Sequence, residues 1–337
     1  MPTTKFGEIL DVIKSHEIFS ISSHISPDGD AIGSQIAVYS LISELGKKAY
    51  IINRDLVPIT YSFMPKVDAF KSGGTEIFYL ENADVSIILD CANLGRTGEK
   101  LASLIHPKYA LINIDHHLKN THFGTHNLVD ENACATAELV FNLLKYNGIR
   151  IGYERAVCLY AAILTDTGSF RYQNTNSETH RIAAQLIDEG IKPDIIAEMI
   201  YASIPYPRTR LFGLALKSMQ ITKDGKVAWV SVTRDMFEET GTESADTEEF
   251  VDYVRSVRDI RLAILFRENE DGSIKVSLRS KGDSNSGFTV FVDQIASAFG
   301  GGGHKMAAGC VLLGPLSKAI DIILHKYYEL DIVRNKN

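Results

Sequence analysis

Apolar residues recur at helical spacing from the start of the chain, at Phe6, Ile9, Leu10 and Ile13, with Thr4 placed to cap the helix they imply. The run Ile18-Phe19-Ser20-Ile21 then reads as a strand. After it, Ile32, Ile36, Ala37, Tyr39, Ser40, Leu41 and Leu45 mark the buried side of a long helix that ends at Gly46. A strand over 48–53 completes a βαβ unit, the rhythm of a parallel sheet. Further strands are expected over 83–89 and 109–114, followed by helices over 133–147, 155–165, 177–189 and 193–202. Ser203-Ile204-Pro205-Tyr206-Pro207 breaks the helical pattern, so the domains are expected over 1–204 and 205–337. Beyond it come a linker helix over 208–219, a strand over 227–233 and helical stretches over 235–239 and 247–257. A hairpin follows, 261–267 with 274–280, turning at 269–272. A helix over 289–299, the glycine run 300–303, a last strand and a last helix complete the chain. The fold class is α/β: a parallel sheet flanked by helices, joined by the linker helix to a smaller C-terminal α+β domain.

Composition narrows the function. With 337 residues, two domains are the default expectation, and 45% hydrophobic with 23% charged residues is ordinary for a globular protein. A net charge of −7 and a pI near 5.8 argue against an extended duplex footprint, which demands a basic face. Small anions remain compatible with local positive charge. No signal-peptide core or membrane-length apolar run is present, so a cytoplasmic location is expected. Cys91, Cys134, Cys158 and Cys310 form no Cys-x-x-Cys pair and read as reduced, mostly buried thiols.

The chemistry collects where strands end. His24, Asp28 and Asp30 follow the first strand, with Pro27 and Gly29 shaping the turn between them. Asp28 or Asp30 can serve as a helix N-cap, and the group can equally hold a cation that relieves the repulsion of neighbouring acids. Asp90 ends the next strand, with Arg96 close behind; Asp115-His116-His117 end the third, and Asp166 ends a helix. One strand-terminal Asp is usually a turn former. Several such ends carrying acids and imidazoles at one sheet edge are prohibitively repulsive without divalent cations. An oxygen-rich set with a minority of imidazole and no thiolate suits Mn²⁺ best, with Mg²⁺ or Fe²⁺ also accommodated. It is large enough for two ions roughly 3.5–4 Å apart, as in two-metal phosphatases and nucleases. Arg96, His117, Arg279 and His304 are the candidates for neutralising phosphate oxygens. The glycines at 300–303 either present backbone N–H groups to an anion or simply close the preceding helix.

His24-x-x-x-Asp28-x-Asp30, Asp90, Asp115-His116-His117 and Asp166-Thr167-Gly168 resemble, in order, the motifs of the DHH phosphoesterase superfamily. Gly300 to Gly303 with His304, then Ala307-Ala308-Gly309, are similar to the signature of the DHH-associated C-terminal domain. The resemblance covers nearly the whole chain. It implies that His24, Asp28 and Asp90 hold one metal ion, that Asp30, Asp90, His116 and Asp166 hold the other, and that Asp90 bridges. It implies a catalytic role for His117 at the phosphate or leaving group, with Asp115 orienting its neighbours. Arg279, Ser280, Gly301, Gly302, Gly303 and His304 would then face the substrate from a mobile second domain. Within the superfamily the architecture is most similar to the nano-RNase and pAp phosphatase group. Its members trim very short oligoribonucleotides and remove the 3′-phosphate of adenosine 3′,5′-bisphosphate, giving AMP. A cyclic-di-AMP or linear dinucleotide phosphodiesterase is the alternative enzyme. Family II inorganic pyrophosphatases match less well, since Arg279-Ser280-Lys281 is a poor counterpart of their basic cluster. A nucleotide-sensing protein without turnover is the non-enzyme alternative. Expected partners are short RNA or small nucleotides, with no membrane; a homodimer stays open.

Overall fold

The computed structural model describes residues 3–71, 76–202, 204–281 and 290–334. The chain divides into two compact units, Met1–Ser203 and Ile204–Asn337. Of the positions singled out at the expected boundary and at the start of the helix before the glycine run, Ser203 and Thr289 lie outside the described residues.

In the first unit, α1 (Thr3–Ser15) precedes β1 (Ile18–Ser22), α2 (Gly29–Glu44), β2 (Lys48–Ile52), β3 (Phe70–Lys71) and α3 (Glu76–Glu81). Then come β4 (Val85–Leu89), α4 (Glu99–Ala102), β5 (Ala110–Asp115), β6 (His126–Val129), α5 (Thr136–Tyr146), α6 (Gly152–Asp166), α7 (Ser177–Asp188) and α8 (Pro193–Tyr201). All pairings in this sheet are parallel, in the order β3-β2-β1-β4-β5-β6. β4 is buried along its whole length, as an inner strand of a sheet covered on both faces must be. The order reverses between β1 and β4. At such a switch point the connections leave in opposite directions and open a crevice at the strands' carboxyl ends.

The short β3 and β6 were not expected, because strands of two and four residues carry too little pattern to register. Buried positions surround nearly all of α2, as befits a helix sandwiched between the sheet and other helices. Gly33 is what lets α6 come so near: a Cβ there would lie 2.4 Å from the Cys158 carbonyl oxygen and 3.0 Å from Ala162 Cβ.

The second unit holds α9 (Tyr206–Lys217), β7 (Gln220–Ile221), β8 (Val227–Val232), α10 (Arg234–Thr240), α11 (Phe250–Ser256), β9 (Leu262–Glu268) and β10 (Ile274–Ser280). It closes with α12 (Val292–Ser297), β11 (Gly302–His304), β12 (Ala307–Leu312) and α13 (Leu316–Arg334). Its mixed sheet runs β11-β12-β10-β9-β8-β7, with only β8 and β9 parallel. The expected hairpin is β9 with β10. The helix read as a linker, α9, buries Leu211 and Ala215 against β8 and α11, and so belongs to this unit's own core. The four cysteines are free and buried. No helix among the described residues is long and apolar enough to cross a membrane.

Gly33→Ala is expected to overpack the α2–α6 contact and lower stability by about 1–3 kcal/mol. A chemical denaturation midpoint equal to wild type would show that the helices have room to spare.

Candidate metal centre

Past β1 the chain turns through His24 and Pro27 into α2, and Asp28 is that helix's N-cap. Its Oδ1 accepts from the backbone N–H of Asp30 at 3.1 Å and of Ala31 at 3.0 Å. The cap does not remove Asp28 from the site, because the same oxygen lies 3.8 Å from His24 Nε2. His24 Nδ1 donates to the Ile25 carbonyl at 2.8 Å, which turns Nε2 toward Asp90 Oδ2, 3.3 Å away. Asp90 follows β4 in the left-handed region, φ +57°, a conformation Asp tolerates better than most residues. Its N–H donates to the Ile114 carbonyl at 3.0 Å, so the β4 end stays tied to β5.

β5 ends on buried Asp115 and delivers both histidines. His116 Nδ1 donates to the Ala133 carbonyl at 3.2 Å, leaving Nε2 facing Asp90 Oδ1 at 3.6 Å, Asp166 Oδ2 at 3.7 Å and Asp30 Oδ2 at 3.9 Å. Both His24 and His116 thus commit one ring nitrogen to a backbone carbonyl and aim the other at carboxylates. Metal-ligating imidazoles are fixed in this way. His117 differs: its Nδ1 donates to Asp115 Oδ1 at 2.7 Å, while Asn120 Nδ2 holds the other Asp115 oxygen at 2.6 Å. Asp166 closes α6 and is followed by three residues with positive φ, Gly168, Ser169 and Phe170. The buried Thr167 hydroxyl steadies that turn, donating to Ile163 O at 2.6 Å and accepting from Phe170 N–H at 3.0 Å.

The structure therefore brings His24, Asp28, Asp30, Asp90, His116 and Asp166 together. His24, Asp28 and Asp90 can offer ligand atoms all within 4.8 Å of one another, and so can Asp30, His116 and Asp166. Asp90 and His116 join the two groups. The electrostatics is that of excess negative charge. Burial, then the charges of Asp90 and Asp28, push Asp166 up to about 8, and burial with Asp90 and Asp166 holds Asp30 well above the carboxylate range. Burial works against the protonated form of His24, but the adjacent carboxylates of Asp28 and Asp90 outweigh it and carry the ring to about 10. The ion-pair partners of these acids among the described residues are imidazoles only. Hard oxygen donors with two imidazoles fit divalent ions, whose charge would relieve that repulsion.

The residues expected to meet substrate are placed less uniformly. Arg96 lies in the 3₁₀ turn Leu94–Thr97, exposed, and its carbonyl accepts from Ile25 N–H at 2.8 Å, bracing the loop that carries His24. In the second unit, Arg279 Nε is 3.6 Å from Asp252 Oδ1. Ser280 is a correction: strand alternation turns it to the opposite face from Arg279, fully buried, with its hydroxyl donating to Met306 Sδ at 3.4 Å. Gly301 is another. Its N–H is spent on the Ala296 carbonyl at 3.0 Å, as Gly300 N–H is on Ser297 at 3.2 Å, so these two glycines close α12 and take no part in an anion nest. Gly302, Gly303 and His304 are exposed on the edge strand β11. Sequence reasoning missed Ser34, Asn120, Thr136 and Asn174, which hold the acids in place. They are uncharged and stand at no strand end, so pattern alone had no means of marking them.

A parallel sheet carrying acids and imidazoles at its switch point, with a second sheet unit after it, has the donor set of a divalent-metal centre. Residues 19–163 match the DHH family N-terminal domain and residues 224–327 the DHHA1 domain. The chain belongs to the DHH family of phosphoesterases, to which divalent metals are the usual cofactor. It is 33% identical over 328 residues to the bifunctional oligoribonuclease and PAP phosphatase NrnA of Thermus thermophilus, covering 96% of this chain and 94% of that one. The Bacillus subtilis protein of the same name is 26% identical over 306 residues, covering 90% and 91%. Among solved structures, an exopolyphosphatase-related protein from Bacteroides fragilis is 28% identical and superposes with a TM-score of 0.91, covering 98% and 97%.

The Asp115 carboxylate raises His117 to about 9 from the ordinary 6.5. Because the folded value lies above the unfolded one, the stability this pair contributes is complete below pH 6.5 and fades as pH rises through about 9. In the metal-free protein, Asp115→Asn should move the His117 ring titration, followed by NMR, back toward 6.5. A titration that stays put in the variant would refute the pairing.

Proposed function

We propose that this chain is a phosphoesterase dependent on two divalent ions, Mn²⁺ by preference, that trims oligoribonucleotides of a few residues and removes the 3′-phosphate of adenosine 3′,5′-bisphosphate. The observation that carries the reading is the meeting of two ligand groups at one sheet edge, joined through Asp90 and His116 at 3.6 Å. The names of the relatives support the choice of substrate. So does the net charge of −7, which suits a small anion gripped locally better than a long duplex drawn in from a distance.

His24, Asp28 and Asp90 would hold one ion, and Asp30, Asp90, His116 and Asp166 the other. When bound, such a pair supplies a water acidic enough to attack phosphorus near neutral pH, and positive charge for the phosphate oxygens. His117 has its Nδ1 proton committed to Asp115, so Nε2 is the atom left to meet the phosphate or the leaving oxygen. Its side chain is 39% exposed, enough for a ligand to reach it. Asp115 keeps the ring oriented and favours its protonated form, which suits a group that must stabilise or protonate a departing oxygen. Arg96 is assigned to the substrate's anionic groups; Arg279, Gly302, Gly303 and His304 are the second unit's own candidates for binding phosphate.

With Mn²⁺ present, RNA of a few nucleotides should be degraded well ahead of a strand several-fold longer, and pAp should release phosphate. Equal rates on both lengths would count against the reading, and faster opening of cyclic-di-AMP than cleavage of linear pApA would transfer it to the cyclic dinucleotide class. Chelator should silence the protein and Mn²⁺ restore it. Asp90→Asn should lose metal retention and hydrolysis together; full turnover in that variant would remove the bridge.

A further inference from the structure

Thr136 is the first residue of α5, and both of its donors leave the helix. First-turn N–H groups have no partner within a helix. Here they find one far away in the chain: Thr136 N–H donates to Asp30 Oδ2 at 2.6 Å and Ala137 N–H to Asp30 Oδ1 at 2.9 Å. With Ser34 Oγ donating to Oδ1 at 3.1 Å, both Asp30 oxygens are fixed. A threonine hydroxyl inside a helix usually turns back to the carbonyl four residues earlier. At the first position no helical turn precedes it, and Thr136 Oγ1 instead donates to Asp90 Oδ1 at 3.1 Å. That oxygen is the one facing His116, while Oδ2 faces His24. The hydroxyl therefore sets how the Asp90 carboxylate is turned between the two ligand groups.

The segment around Thr136 reaches the other ligands as well. The Ala133 carbonyl accepts from the His116 Nδ1–H, and the Cys134 carbonyl accepts from Asn174 Nδ2 at 2.8 Å, which also lies 3.3 Å from Asp166 Oδ2. Buried Glu138 anchors the segment by accepting Cys134 N–H at 2.9 Å. Thr136 itself is fully buried, where a hydroxyl is kept only at a cost unless it makes a specific bond.

We propose that Thr136 is a positioning residue for the metal centre: by donating to Asp30 and Asp90 at once, it sets the spacing and rotation of the two carboxylates that hold the ions. This rests on the two-ion reading. The test is a calorimetric Mn²⁺ titration of the chelator-stripped full chain, comparing wild type, Thr136→Val, Thr136→Ser and Asp90→Asn. Thr136→Val keeps the shape and the N–H but loses the hydroxyl; Mn²⁺ affinity should fall by about 10- to 100-fold, the usual effect of losing a group that orients a ligand. Thr136→Ser should restore it. The Mn²⁺ concentration giving half-maximal rate should rise by the same factor.

Wild-type affinity in Thr136→Val overturns the proposal, and so does equal weakening in Thr136→Ser, since the methyl group would then be what matters. If Thr136→Val does not fold, Thr136→Ala replaces it in the same comparison with serine. If wild type takes up no Mn²⁺, or Asp90→Asn binds it as wild type does, the two-ion reading itself falls, and this inference with it.

Discussion

Mutual repulsion among carboxylates held where water is scarce is the constraint the first unit is built around. Asp30 and Asp90 are almost completely buried, and Asp28 and Asp166 stand close enough for each to disturb its neighbours. Left in a dry crevice, such acids would give up their charge or drive the strand ends apart. The fold answers with donors. Asp28 takes two N–H groups from the start of α2, Asp30 takes two from the start of α5, and two imidazoles present Nε2 toward the acids between them. The acids that would hold ions are therefore also the caps that satisfy two helix ends, and the positive ends of those helices favour the ionised form.

This arrangement depends on the sheet. With β1 and β4 adjacent and their connections leaving in opposite directions, His24, Asp28 and Asp30 come to one side of the crevice and Asp90 to the other. β5 adds His116 and His117 beside Asp90, and the end of α6 brings Asp166 to within 3.7 Å of His116. Positive φ angles occur at the same edge, at Asp90 and in the turn after Asp166, as they also do away from it at Lys66, His122, Glu249 and Asp259. Unfavourable angles of that kind persist where the surroundings dictate them, and they cluster at functional sites. The tie from Asp90 N–H to β5 and the bonds of the Thr167 hydroxyl are the local compensation.

The second unit follows a different logic. Its sheet is mixed, its two cores lie on either face, and its glycine run is partly structural: Gly300 and Gly301 close α12, and only Gly302 and Gly303 continue into the exposed edge strand that ends at His304. Arg279 and Ser280 show how much one step along a strand matters. Adjacent in sequence, they face opposite sides of the sheet, one half-exposed beside Asp252 and the other sealed against Met306.

The sequence by itself determined the inner strands and the identity of the acids. β1, β4 and β5 announce themselves as runs rich in Ile, Leu and Val, interrupted only by serines or an asparagine before the acid that ends β5, because a strand buried on both faces tolerates little else. The charged residues just past their ends stand out for the same reason. Only the tertiary structure decided the rest. The edge strands β3 and β6 are too short to carry a period, and the roles of Ser34, Asn120, Thr136 and Asn174 exist only once distant segments meet. Asp28 could be read as a cap or a ligand, and proved to be a cap lying within reach of His24. Type and spacing say which side chains can bear charge; which of them share a crevice, and which neutral neighbour fixes each oxygen, depends on contacts between residues a hundred positions apart, as Asp30 and Thr136 are.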